Sequence, residues 1–207
     1  MITVAQQKGG AGKTTVAAQL AVEVARRGWT VACVDIDPQA TLSAWHGIRQ
    51  SAVNGANAID CETIGGWRLD SSLRELARDH DVLIVDSPPQ AETEARVAVR
   101  AADLVVIPCQ PSALDLWASR ATLEFVDQER RDARLLLNRV PPRGRLLDQA
   151  QSAIDEMKTP LLEARLGNRA AFAQAMQRGL SVVELEPRGK ASTELNGLVD
   201  EIVAQLF

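Results

Sequence analysis

The chain of 207 residues has only three cysteines, Cys33, Cys61 and Cys109, and no CxxC or CxxH spacing among them. That argues against a disulfide scaffold and a thiolate metal site, and predicts reduced cysteines in a cytoplasmic protein, two of them in apolar runs that read as strands. No apolar run approaches the ~20 residues of a membrane-spanning helix. The stretch Met1–Ala5 lacks the basic lead-in of a signal peptide and reads as a strand running straight into a glycine-rich loop. Repeats, low-complexity segments and a convincing linker are missing as well. With 46% hydrophobic and 24% charged residues, the composition predicts one well-cored domain over residues 1–207. An excess of positive charge is lacking too: the formal net charge of -4 excludes an all-over basic coat for nucleic acid. Twelve Lys or Arg against seven acids between Arg130 and Lys190 leave -9 for the remainder. This asymmetry permits a basic face, and fits a solvated, arginine-rich surface as well.

What is present is an alternation of short apolar runs and helical patterns. Strands are predicted at Met1–Gln6, Thr30–Val34, Val82–Val85, Leu104–Pro108, Arg134–Leu137 and Leu161–Leu166. Helices are predicted over Thr14–Arg27 with Gly28 as a stop signal, Leu69–Asp79, Ser112–Gln128, Leu146–Met157 and Asn168–Arg178. The alternation calls for an α/β fold, a mainly parallel twisted sheet flanked by helices on both faces. Gln50–Gly66 is small and polar, and reads as a surface excursion with at most one short strand. The end, Glu194–Phe207, puts Leu195, Leu198, Val199, Ile202, Val203 and Leu206 on one helical face. No basic residue stands opposite that face, so the helix is expected to dock on the core and not on a membrane.

The loop after the first strand reads QQKGGAGKTT. Backbone N–H groups from Gly9, Gly10, Ala11, Gly12 and Lys13 can converge on phosphate oxygens, because glycines let the chain approach closely and turn tightly. Lys13 would balance the β and γ charges, Thr14 would offer its hydroxyl to Mg²⁺, and Thr15 would bond the α-phosphate. The usual phosphate loop has glycine at the position of Gln7, and here an extra lysine, Lys8, stands at the entrance. This K-G-G-x-G-K-T variant resembles the ParA/MinD family of deviant Walker ATPases, and within it the short ParF-like partition proteins. The resemblance covers nearly the whole chain.

It implies an ATP- and Mg²⁺-dependent homodimer in which Lys13 serves its own nucleotide and Lys8 reaches the partner's phosphates, both counted as catalytic. VDIDPQA resembles the family's first switch: two acids at i and i+2 along a strand would face one side, Asp37 orienting the attacking water and Asp35 supporting the metal. The alternative is a strand-ending turn before Pro38. Asp86, ending VLIVD, fits the Walker B position and would hold Mg²⁺ through a water, with Ser87–Gln90 as the second switch. Asn138 and Arg139 fall where the family contacts adenine, though an Asn ending a strand is also ordinary turn chemistry. Asp115 would be an interface residue. Trp45, Trp67 and Trp117 are expected as core anchors.

The implied activity is slow ATP hydrolysis, stimulated by a ParB-like or adaptor partner. It would position plasmid DNA or a large assembly through nonspecific DNA binding by the ATP dimer, which places the protein on the nucleoid. Arg165 and Arg169, with Arg188 and Lys190, are the candidate DNA contacts, or else solvate a helix. A membrane-bound MinD role lacks its basic terminal helix, a nitrogenase iron protein its cysteine pair, and a tyrosine autokinase any tyrosine. An ATP-dependent ligase acting on a small carboxylate remains the rival from another class.

Overall fold

The computed structural model describes residues 1–53, 59–89, 93–142, 150, 152–155 and 160–206. Strands β1 (Ile2–Val4), β2 (Val31–Asp35), β3 (Ile59–Thr63), β4 (Val82–Asp86), β5 (Leu104–Cys109), β6 (Ala133–Val140) and β7 (Leu161–Gly167) form one parallel sheet in the order β3-β2-β4-β1-β5-β6-β7. The helices are α1 (Lys13–Arg26), α2 (Thr41–Ala52), α3 (Leu69–Asp79), α4 (Thr93–Ala101), α5 (Ala113–Gln128), α6 (Ala170–Gln177), α7 (Val182–Leu185) and α8 (Lys190–Leu206).

Successive strand residues feed opposite layers. Val31 and Cys33, Val82 and Ile84, and Leu104 and Val106 pack toward α1, α2 and α6–α8. Ala32, Val34, Leu83 and Val85 pack toward α3 and α4, while Val105, Ile107 and Cys109 pack toward α5. Because both faces are covered, these strands are buried at every position and read as continuous apolar runs. The expected architecture is the observed one.

The last helix begins at Lys190, four residues earlier than expected, and docks as expected. Leu195, Leu198, Val199 and Ile202 are buried, with Val203 and Leu206 packed beside them. Arg27 ties it to the end of α1, bonding Asp200 at 2.6 Å and the Asn196 carbonyl at 3.0 Å. Among the described residues no helix is long and apolar enough to cross a membrane.

Two helices carried no local signal. α2 has a glycine and a histidine mid-helix, and Ala40, with φ 49°, gives its start no side-chain cap. The cap comes from eight residues upstream, where Asp35 accepts the Ser43 N–H at 2.8 Å. α4 buries mostly alanine, Ala95 and Ala98 beside Val99, which is too slight for a hydrophobic stripe. The excursion does hold one strand, β3, and residues 54–58 within it lie outside the described set. Of the helix expected over Leu146–Met157, the described residues 150 and 152–155 are helical.

Trp45 is a core residue, but Trp67 and Trp117 are not: they are 89% and 60% exposed. Trp67 lies in a one-turn 3-10 segment, Gly66–Arg68, and Trp117 on the outer face of α5. All three cysteines are free, and all lie on strands, Cys61 half-buried.

Candidate functional site

β1 is central, and the chain leaving its carboxyl end forms the loop from Gln6 to Gly12. Ligands of open parallel sheets bind at this edge. Gly12 is the N-cap of α1 at φ 95°, and a Cβ there would stand 2.6 Å from the Asn138 side-chain nitrogen. Only glycine fits both the left-handed backbone and that approach. No side chain caps α1 and no acid occupies its first turn, so its N–H groups remain available to an anion.

The two lysines point to different places. Lys13 is buried and its ammonium donates to the Gln6 carbonyl at 3.1 Å. Burial lowers its pKa, opposed by the charges of Asp86 and Asp37. Lys8 lies outside this pocket and pairs with Asp115 of α5 at 2.7 Å, its side chain 40% exposed. Asp115 also takes the Ser112 hydroxyl, whose oxygen in turn accepts the Asp115 N–H at 3.2 Å.

The carboxylates divide sharply. β2 ends at Asp35, so Asp37 lies beyond it in a turn and the two are not the same-side strand pair expected. The buried Asp35 spends one oxygen on the Asp37 N–H at 3.2 Å and the other on Ser43. Asp37 is half-buried and accepts the Gln39 N–H at 2.9 Å. Asp86 is buried with no hydrogen bond to either oxygen among the described residues. Burial, reinforced by Asp35 and Asp37, pushes its carboxyl up to about 7, and the Thr14 hydroxyl and Lys13 pull the other way. Thr14 acts from close by but outside hydrogen-bond geometry. An orphaned buried carboxylate beside a threonine hydroxyl suits Mg²⁺, which takes few protein oxygens and completes its octahedron with phosphate and water. Among the described residues no group of three or more His, Cys, Asp or Glu is placed to hold a metal ion. Ser87 bonds the Val4 carbonyl at 3.0 Å, and the expected second switch continues into residue 90, outside the described set.

Two cavities meet at the loop. One of about 260 Å³ is lined by Gly9, Gly10, Lys13, Thr14, Asp37 and Pro89; it shares Gly12, Thr15 and Arg139 with a second of about 390 Å³. The larger adds Asn138, Asn168, Arg169 and Phe172. Asn138 and Arg139 lie within β6, where its register with β7 shifts between Leu137 and Val140. Asn138 donates to the Ala11 carbonyl at 2.8 Å and accepts the Arg139 N–H at 2.9 Å, holding loop and pocket together. A larger cavity of about 450 Å³ lies away from this chemistry, near His80 and Asp103 at the opposite edge of the sheet.

Of the candidate DNA residues, Arg188 and Lys190 are exposed, and Arg165 is half-buried. Arg169 forms a bidentate pair with Glu194 that raises its pKa, and it also lines the larger cavity. Gln6, Ser119 and Thr122 were not singled out by the sequence. Ser119 and Thr122 sit beneath the loop entrance, and only an internal polar stripe in LDLWASRATL hints at them.

The loop on a central parallel strand, with its lysine and unpaired aspartate, defines a P-loop ATPase. The family profile described as CobQ/CobB/MinD/ParA nucleotide binding domain matches residues 2–182. The chain belongs to that family, as a ParA/MinD-type ATPase with the deviant Walker loop. It is 31% identical to the maintenance of carboxysome distribution protein A of Halothiobacillus neapolitanus, over 98% of this chain and 95% of that protein. It is 36% identical to the protein of the same name from Gloeobacter kilaueensis, over 94% of this chain and 88% of that one. The septum site-determining protein MinD of Pyrococcus horikoshii, complexed with Mg-ADP, shares the fold with TM-score 0.81 at 21% identity, over 97% of this chain and 94% of that chain.

Proposed function

We propose that this ATPase positions a cargo, a plasmid or a large protein assembly, by switching nonspecific DNA binding with its nucleotide state. The observation that carries the reading is Lys8, an ammonium held at the rim, outside the pocket that takes Lys13. A cation placed there does little for its own nucleotide and is placed to meet a second copy's phosphates, where burial between subunits would strengthen it. Near full-length likeness to two carboxysome distribution proteins supports an assembly as cargo, and likeness to plasmid-partitioning ParA of Thermus thermophilus supports DNA.

In this reading ATP binds with its phosphates in the smaller cavity and its adenosine by Asn138 and Arg139. Thr14 and Asp86 would hold Mg²⁺, which would supply charge neutralisation at the phosphates. The N–H groups of Gly9 to Lys13 cradle oxygens, Thr15 takes the α-phosphate, and Asp37 orients the attacking water. Asp35 supports the metal side by fixing the backbone of Asp37. The protein works as one domain, like the short ParF-like partition ATPases, and the ATP homodimer grips DNA on the nucleoid through Arg165, Arg188 and Lys190, with Arg169 braced by Glu194. A ParB-like or adaptor partner on the cargo stimulates hydrolysis and releases the dimer.

The test is retention on nonspecific duplex DNA with ATP, ADP or no nucleotide, at two salt concentrations. Salt-sensitive retention with ATP alone is expected. Retention under no condition, together with turnover that requires a small carboxylate, would replace this reading with the ligase.

A further inference from the structure

Helix α5 turns a polar stripe inward: Asp115, Ser119 and Thr122 lie on one face and are all buried. Their side-chain partners include the loop entrance. Thr122 Oγ donates to Gln6 Oε1 at 2.9 Å and accepts the Gln7 N–H at 3.1 Å. Gln6 Nε2 donates to Ser119 Oγ at 2.9 Å and to the Pro108 carbonyl at 3.2 Å, and Gln6 Oε1 also accepts the Lys8 N–H at 3.4 Å. Every donor and acceptor of this buried amide is therefore used. The main-chain carbonyl of the same residue takes the Lys13 ammonium. One residue thus touches both lysine positions through separate groups.

We propose that Gln6 and Thr122 are positioning residues for Lys8, clamping the loop entrance to α5 so that the Lys8 ammonium is presented beside Asp115 independently of Lys13. The clamp also explains why Gln7 stands where the usual loop has glycine. Its side-chain amide reaches the Ala121 carbonyl of α5 at 3.3 Å, a bond glycine cannot make. A satisfied buried network holds one geometry, and losing one member leaves the others orphaned. The proposal rests on Lys8 being the residue that bridges two copies, and its test is chosen to separate the two ideas.

The variants are Thr122→Val, which keeps volume and deletes the hydroxyl, and Gln6→Leu, with Thr122→Ser as the conservative rescue. Lys8 reactivity toward an amine-acylating ester is mapped by mass spectrometry against exposed Lys190. Both first variants should raise Lys8 labelling about threefold or more by freeing it from Asp115, and Thr122→Ser should restore it. Thr122→Val should weaken ATP-dependent dimerisation about tenfold in sedimentation while fluorescent ATP affinity stays within about twofold. Unchanged Lys8 labelling in both variants overturns the clamp. So does a nucleotide affinity that falls in step with dimerisation. If the unmodified protein forms no ATP dimer, the bridging reading fails while the labelling still decides the clamp.

Discussion

Asp35 and Asp86 are register partners at the carboxyl ends of β2 and β4, and among the described residues one of these two buried carboxylates bonds through both oxygens while the other bonds through neither. Asp35 holds backbone: the turn carrying Asp37 and the start of α2. Both Asp86 oxygens are left without a hydrogen bond among the described residues, and its predicted consequences are the sharpest of the site.

Free of Mg²⁺ and nucleotide, Asp86 should make the fold less stable as pH rises. Its folded pKa of about 7 lies above the ordinary 3.8, so the folded chain holds the extra proton between those values. The contribution is fully present below the unfolded pKa and is lost as pH climbs through the folded one. At stake is on the order of a few kcal/mol. Asp86→Asn should therefore exceed the melting temperature of the unmodified protein most near about pH 8, clearly less near about pH 5, and not at all near about pH 3. Mg-ADP should raise the melting temperature of the unmodified protein far more than that of the variant. Parallel pH slopes would mean that Asp86 is already charged in the free protein.

Gly12→Ala should abolish nucleotide binding. The added Cβ meets the Asn138 nitrogen at 2.6 Å on a φ of 95°, so the loop and the cavity lined by Asn138 are displaced together. A stability loss of about 1–3 kcal/mol is expected from the backbone strain alone. Calorimetric ATP titration checks the binding, and chemical denaturation checks the strain.

The two lysines should separate. Lys13→Ala removes the buried ammonium and should eliminate ATP binding, whereas Lys8→Ala should leave one chain's affinity largely intact and remove the ATP dimer. Sedimentation with ATP is the deciding measurement, since a surviving dimer in Lys8→Ala would sink the bridging role.

Asp37→Ala should trap a long-lived ATP dimer on DNA, with phosphate release lowered at least about tenfold. Asp37 lines the smaller cavity, and among the described residues its side chain bonds only the Gln39 N–H, so little of the fold depends on that side chain. Hydrolysis at the unmodified rate would assign the water-orienting role elsewhere.

Arg49→Ala should cost about 3–5 kcal/mol. Its guanidinium is buried over Trp45, makes a bidentate pair with Glu184 at 2.8 and 2.9 Å, and donates to the Gly179 carbonyl at 3.1 Å. Removing it strands the Glu184 carboxylate, whose pKa is lowered despite burial by Arg49 and the Ser181 N–H. Urea denaturation measures the loss.

The sequence by itself determined the sheet, the large helices and the phosphate loop, because each is written in local terms: apolar runs, 3.6-residue periodicity, glycines before a lysine. α3 falls over the very residues its periodicity marks, Leu69–Asp79. The tertiary structure decided whatever depends on partners far along the chain. α2 begins under the carboxylate of Asp35, Asp115 becomes a lysine's partner across more than a hundred residues, and Asp35 becomes a backbone clamp while Asp86 is left bare. Trp67 and Trp117 show the same limit from the other side, since an aromatic residue carries no local mark of whether another layer covers it. Local chemistry is legible from neighbours in sequence. Burial and the pairing of buried polar groups are set only when distant segments pack.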